Sequence, residues 1–373
     1  MFSQFEKTPR AYGYAGRHDD NRWAAAPPPK PSPHAALPQG LLTAWARVEP
    51  RKFPALRRPA DWDKIALLRR ARGGRDTMMR KPFRGLLCNL LLLTLLSALP
   101  GVSAEAPQAP APADLRALAP EGTFLAPGEP PQYTENSYKS EHFSIEIRQV
   151  RDEEARSDAF VAEVRVASVD YLRRVYSLNK WKGDMRSIRT IAPDAGMVLA
   201  MTGDYASLFN AGLSVGNGVV YRKTDNRARD NCLVLSDGRM VTYPRQEKTA
   251  EEMLAEGVWH SFLFGPALLK DGQPIGEFTS PVRGKNPRSA IGYVSPGHYM
   301  LVVVDGRSSK SRGMTLEELS RFMSGLGCQA AYNLDGGQSA IMWFNGEIVN
   351  KPYKGGRRLT DVVAVGPPPA AGD

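Results

Sequence analysis

Three aspartates in this chain sit beside a glycine at the end of an apolar run. They are Asp204 in Thr202-Gly203-Asp204-Tyr205, Asp305 in Val304-Asp305-Gly306-Arg307, and Asp335 in Asn333-Leu334-Asp335-Gly336-Gly337. Glycine lets a backbone N–H come close to a ligand or lets the chain take φ > 0. A carboxylate beside such a loop suits catalytic or ligand-orienting chemistry, although Asp-Gly also serves plain tight turns. Asn333 delivers an amide just before the paired glycines Gly336 and Gly337. Arg307 follows Asp305 directly, and Arg288 opens the short run Arg288-Ser289-Ala290-Ile291-Gly292. Each arginine fits an anion-binding role or a surface ion pair. His298, in the turn after Pro296-Gly297, fits a proton donor or a solvated ring.

These residues need elements that bring them together. Tyr299-Met300-Leu301-Val302-Val303-Val304 reads as a buried strand ending at Asp305. Thr315 and Glu318 are spaced as a capping box, and Leu316, Leu319, Phe322, Met323 and Leu326 fall on one helical face. Gly325 and Gly327 supply the stop. A second strand then leads into Asn333 and Asp335. Strand, helix and strand make a βαβ crossover, which predicts parallel strands and one shared rim for Asp305, Arg307, Asn333 and Asp335. Met197-Val198-Leu199-Ala200-Met201 gives another strand, ending at Asp204. Asn345-Gly346, Asp237-Gly238 and Asp271-Gly272 mark hairpin turns, and Gly212 to Val219 reads as a bulged hairpin. The fold class is therefore α+β, a strand-rich mixed-sheet domain whose crossover carries the Asp-Gly-Arg and Asn-Leu-Asp-Gly-Gly loops. A P-loop, a Gly-x-Gly-x-x-Gly fingerprint and a serine-hydrolase motif order are missing from the sequence.

The front of the chain has another character. Met78-Met79-Arg80-Lys81-Pro82-Phe83-Arg84, the leucine-rich run Leu86 to Leu99 and Val102-Ser103-Ala104 form a secretory signal pattern over residues 78–104. Cleavage is expected near Glu105, with an uncleaved membrane anchor as the alternative. The biological start is expected at Met78 or Met79, so residues 1–77 read as a non-native or disordered leader. Residues 105–140 are rich in Ala and Pro and read as a linker. The globular domain spans 141–367, large enough for one core. Residues 1–104 hold 18 of the 49 Lys+Arg and 7 of the 39 Asp+Glu, so the remainder carries 31 against 32, a net of −1. The basic balance belongs to the front, which argues against nucleic acid as a partner. Cys232 and Cys328 remain beyond the signal, either as a disulfide or as two buried thiols. Only His142, His260 and His298 remain there too, without zinc-ligand spacing.

Taken in order, these motifs resemble the phosphodiester glycosidase domain family, which has members among exported bacterial proteins associated with exopolysaccharide. The resemblance rests on Arg288 to Gly292, Pro296-Gly297-His298-Tyr299, Val304 to Arg307, Gly313-Met314-Thr315-Leu316-Glu317-Glu318-Leu319, Leu326-Gly327-Cys328 and Asn333 to Gly337. It extends back through Gly203-Asp204-Tyr205, Val215-Gly216-Asn217-Gly218 and Phe264-Gly265-Pro266 to Phe160, and forward to Arg358-Leu359-Thr360-Asp361. Two positions depart from the family. Thr202 stands where Asn is usual before Gly-Asp, and Gln338-Ser339-Ala340 stands where the family often continues Gly-Ser-Ser. The resemblance implies cleavage of a sugar C1–O bond to a phosphodiester, in a secreted or cell-envelope setting. Such chemistry needs two carboxyl groups about 5–5.5 Å apart for retention or about 6.5–9.5 Å apart for inversion. Asp204, Asp305 and Asp335 are the catalytic candidates. Arg288 and Arg307 would bind the phosphodiester. Asn333 would orient hydroxyls, and Gly336 and Gly337 would offer N–H groups to developing charge. Two rivals stand beside this reading. One is a phosphodiesterase assisted by Ca2+ or Mg2+ held on the same carboxylates; the other is a non-catalytic module that binds envelope glycans.

Overall fold

A computed structural model describes residues 110–369. The leader over 1–77, the signal pattern over 78–104 with Cys88, and the first part of the linker lie outside the described residues. Two sheets carry the architecture. The larger has seven strands in the order Gln132–Tyr133, Ser137–Lys139, Phe143–Asp152, Ser157–Val166, His298–Val304, Arg288–Ser295, Ala330–Leu334. The smaller has five, in the order Glu347–Ile348, Met342–Phe344, Leu199–Thr202, Asp361–Val365, Leu172–Tyr176.

Side-chain alternation in the central strands explains their unbroken apolar runs. Tyr299, Leu301 and Val303 face the same core as Leu199, Met201, Val363 and Val365, so this core lies between the two sheets. Met300, Val302 and Val304 point the other way, onto Leu316, Leu319 and Met323 of helix Leu316–Gly325. On the smaller sheet, Ala200, Val362 and Ala364 point outward onto Ile188 and Ile191 of helix Ile188–Asp194. The result is four layers, helix, sheet, sheet, helix, with both central sheets buried on two faces. Thr315 and Glu318 form the expected capping box. Asn345 and Gly346 turn the hairpin that pairs Phe344 with Glu347.

The crossover from His298–Val304 through the helix to Ala330–Leu334 is present, and these two strands do run parallel. They are not neighbours. Arg288–Ser295 lies between them, antiparallel to both. Every bonded pair among the described strands is antiparallel, where the sequence pattern suggested a mixed sheet. The cause is the tight Pro296-Gly297 turn, which hairpins Arg288–Ser295 onto the next strand and places it inside the crossover.

The Ala/Pro-rich stretch also differs from a free linker over its described part. Leu115 is 2% exposed and joins the inter-sheet core, and its N–H donates to the Ala167 carbonyl. Gln132–Tyr133 and Ser137–Lys139 extend the edge of the larger sheet. Cys232 and Cys328 are both buried and unpaired, in separate core clusters.

Candidate active site at the seam of the two sheets

The chain passes from the larger sheet to the smaller through Asp335 to Ile341, and this passage builds the site. Ala330–Leu334 ends the last strand of one sheet, and Met342 pairs with Met201 in the other. Two contacts fasten the passage. The Asp335 N–H donates to the Gly203 carbonyl at 3.3 Å, and the Thr202 hydroxyl donates to the Ser339 carbonyl. Asp335 and Gly203-Asp204 are thereby neighbours, although they follow strands of different sheets. Gly336 is needed here because an added Cβ would lie 2.7 Å from the Pro287 carbonyl oxygen.

Beneath the passage lies a buried ionic cluster. Arg174, from strand Leu172–Tyr176, donates from Nε to Asp361 at 3.0 Å and from an Nη to Asp204 at 3.4 Å. All three side chains are almost wholly buried. Asp204 also accepts the N–H groups of Leu263 at 2.8 Å and Phe264 at 2.7 Å. Burial pushes the Asp204 carboxyl up, and Arg174 pulls the other way. Its acceptor-only pattern of partners is that of a carboxylate. Asp361 accepts the N–H groups of Asp204 and Tyr205, both at 3.1 Å, so Arg174 anchors the loop after Gly203 through Asp361.

Above the passage lies the solvent-facing layer. Arg357 donates to Asp335 at 2.7 Å and to the Ser339 hydroxyl, with its guanidinium 5.4 Å above the Tyr205 ring. Burial raises the Asp335 carboxyl, while Ser339 and Arg357 oppose that rise. On the other flank, Arg307 donates to Asn286 at 2.8 Å and lies 5.1 Å above the Tyr353 ring. An added Cβ on Gly337 would sit 3.3 Å from an Arg307 nitrogen, so Arg307 covers the paired glycines. Two guanidinium groups thus straddle the passage, each stacked on a tyrosine. Tyr205 and Arg307 both hold left-handed backbone, at φ 61 and φ 58. Strain of this kind collects at functional sites. Gln338, the departure from the family pattern, donates its amide to the Gly356 carbonyl at 3.0 Å and so ties the passage to the turn before Arg357.

Asp305 lies at the same end of the larger sheet as Asp335, one strand removed on either side of Arg288–Ser295. Two inter-strand spacings put their backbones on the order of 10 Å apart. Asp305 accepts the Asn350 amide at 2.8 Å and the Lys351 N–H at 3.1 Å, and Asn350 also donates to the Ala340 carbonyl of the passage. Burial lifts the Asp305 carboxyl to about 6.

Asp335, Asp305, Arg307, Gly336 and Gly337 therefore share one rim. Five of the expected roles do not match where the structure places the groups concerned. Asp204 is beside the rim but has no exposed surface, because Arg174 and two amides enclose it. Arg288 is 3% exposed and spends its fork on the carbonyls of Met314, Val282, Arg283 and Gly284, so it secures a loop instead of facing a ligand. The Gly337 N–H is taken by the Pro287 carbonyl at 2.9 Å, and Asn333 is buried with its amide on the Gly265 carbonyl. His298 begins the strand that Asp305 follows, and seven residues at about 3.3 Å each separate them by roughly 23 Å.

His298 instead meets Glu163 at 2.9 Å at the far end. That hydrogen bond, helped by Arg148, pulls the Glu163 carboxyl down to about 2. A depressed carboxyl pKa stabilises the fold above its unfolded value near 4.5, and the gain is lost as pH falls toward 2. Glu163→Gln should therefore lower the urea midpoint near neutral pH, with the difference shrinking below about pH 4.5 and closing near pH 2. A stability difference that stays constant across that window would remove Glu163 from the linkage.

Sequence reasoning left Arg174, Asp361 and Arg357 without roles. As for an ion, no group of three or more His, Cys, Asp or Glu among the described residues could hold one. Asp204 and Asp361 are committed to Arg174 and backbone amides, so the donor set does not fit a Ca2+ or Mg2+ cage.

Residues 192–366 match the phosphodiester glycosidase family. Over those residues the chain is similar to the phosphodiester glycosidase domain. A prophage-derived uncharacterized protein of Bacillus subtilis (strain 168) is 32% identical over 164 residues, covering 42% of this chain and 26% of that protein. The Bos taurus N-acetylglucosamine-1-phosphodiester alpha-N-acetylglucosaminidase is 32% identical over 110 residues, 27% of this chain and 21% of the enzyme. The chain thus spans about a quarter or less of the length of these relatives. The catalytic domain of the zebrafish enzyme of the same name shares the fold, with a TM-score of 0.50 at 17% identity over 65% of this chain and 86% of that one. The matched segment takes in Asp204, Asp305, Asp335, Arg357 and Asp361, but not Arg174.

Proposed function

We propose that the domain hydrolyses the C1–O bond of a sugar-1-phosphodiester, with water adding to C1 and a phosphomonoester leaving. The observation that supports this most is the layout of the seam: a nearly buried carboxylate, Asp335, with Arg357 and Arg307 on either flank. Arginine suits phosphodiester oxygens because its planar fork donates to two at once. Asp335 acts at the anomeric carbon, and Asp305 supplies the second carboxyl. Their backbone spacing suits the wider, inverting arrangement, with room for a water between them. A phosphate monoester is a good leaving group and needs little help from a general acid. Residues 78–104 export the domain, and its substrates are glycans of the envelope or extracellular space. Among the described residues, no helix is long and apolar enough to cross a membrane.

The test is incubation with a panel of sugar-1-phosphodiesters, with and without chelator, watching for free sugar. Release unaffected by chelator fits the proposal. No release from any member of the panel, with binding retained, would favour a glycan-binding module. Release abolished by chelator and restored by Ca2+ or Mg2+ would favour the metal-assisted reading.

The two arginines allow a finer prediction. Arg357→Lys and Arg307→Lys keep the charge but lose the fork. Each should reduce kcat/KM on a phosphodiester about ten- to a hundredfold, the scale of one charge-assisted hydrogen bond. A neutral aryl glycoside should be affected much less. Equal losses on both substrates would strip the arginine of its phosphate role.

A further inference from the structure

The described residues expose six large hydrophobic side chains, and four of them lie in three neighbouring segments: Leu178 at 45%, Met185 at 42%, Leu208 at 48% and Val219 at 49%. Leu178 and Met185 leave one clasp, because the Ser177 hydroxyl donates to the Asp184 carbonyl and the chain between them folds back. Leu178 holds φ 60, which a bulky side chain seldom adopts, and it gains no core contact there. Between them, Trp181 stacks on Tyr221 at 5.2 Å. Val219 lies two residues before Tyr221 on strand Val219–Arg222, hence on the same strand face. Residues 178–189 carry Lys180, Lys182, Arg186 and Arg189 against a single acid, Asp184. Only Arg189 of these pairs with a carboxylate among the described residues, Glu347 at 3.7 Å. Arg186 bridges to Leu359, which sets this loop beside the Arg357 turn. Leu208 belongs to the short segment after Tyr205.

We propose that the loop over residues 177–189, with Leu208 and Val219 alongside, is an anchor that lays the domain on an anionic lipid bilayer. Short apolar projections from separate loops suit shallow insertion between headgroups better than one flat protein interface. Unpaired lysines and arginine supply the attraction to negative lipid. Because the loop borders Arg357, the seam faces phosphodiesters presented at that surface. That last consequence rests on the glycosidase reading; the anchoring does not.

The full chain is tested by cosedimentation with phosphatidylcholine vesicles, with and without phosphatidylglycerol. Wild type should bind the anionic vesicles more tightly. Lys180→Ala with Lys182→Ala should weaken that binding about twentyfold or more, near fivefold for each lysine. Leu178→Asp with Met185→Asp should weaken it at least as much, and aspartate tolerates the left-handed backbone at Leu178. Both pairs should leave hydrolysis of a soluble phosphodiester intact. Vesicle binding unchanged in both variants would overturn the anchor and assign the binding elsewhere, as to the apolar run Leu86 to Leu99. Wild type that ignores both vesicle types but is retained by a protein partner would overturn it as well. Binding that follows the expected pattern while no soluble phosphodiester is cleaved would leave the anchor standing and remove the glycosidase reading.

Discussion

Asp335→Asn should reduce sugar release from a phosphodiester by about two to four orders of magnitude, the usual range for a positioned proton-transfer group. The same change should barely move the melting temperature. Asn keeps an acceptor for Arg357, whose side chain is 41% exposed, and ion pairs in such settings contribute only about 0.2–1 kcal/mol. Stability unchanged with activity lost marks a residue used by the reaction. Full activity in Asp335→Asn would move the chemistry away from the seam.

The second large effect concerns stability. Arg174→Met should cost about 3–5 kcal/mol, because it leaves Asp204 and Asp361 buried without their cation. Its loss should shrink as pH falls, as for Glu163, but through a raised carboxyl in the variant instead of a depressed one in the wild type. Without arginine nothing offsets the burial that already raises the Asp204 carboxyl, so its folded pKa climbs further above the unfolded one. The folded state then binds more protons, and the loss should shrink as pH falls. Urea midpoints of wild type and variant across the acid range measure this. A loss that does not change with pH would mean that packing, not charge, dominates at Arg174. An undiminished midpoint would mean that the cluster is not what holds the Gly203 loop.

The layers were legible because local chemistry agreed with global packing. Alternation in Tyr299 to Val304, the Thr315–Glu318 capping box and the Asn345-Gly346 turn each act within a few residues, and each appears where the sequence puts it. Glycine at a strand end also marked Asp305 and Asp335, whose strands finish at the same end of the larger sheet. Failures came wherever identity depended on distant partners. Arg288 and Arg174 look alike in sequence, yet one is consumed by the carbonyls of its own loop, and the other pairs with Asp361 at a separation of 187 residues. Arg357 gave a local signal, in the run Arg357-Arg358-Leu359-Thr360-Asp361, but its link to Asp335 spans the last hairpin. His298 was misplaced for a simpler reason. A motif near a strand says nothing about which end of that strand carries the site.

The N–H of Asp335 bonds to Gly203 between two sheets whose shared core is apolar. Its exchange with solvent deuterium therefore requires the layers to part, which makes it a reporter of global opening. The turn that carries Lys354 and Arg357 is exposed, and it is expected to open before the layers part. The reacting carboxylate and the residues that greet the substrate thus belong to units of unequal stability. Replacing the outer turn could change which phosphodiester is admitted while leaving the most protected amides of the domain untouched.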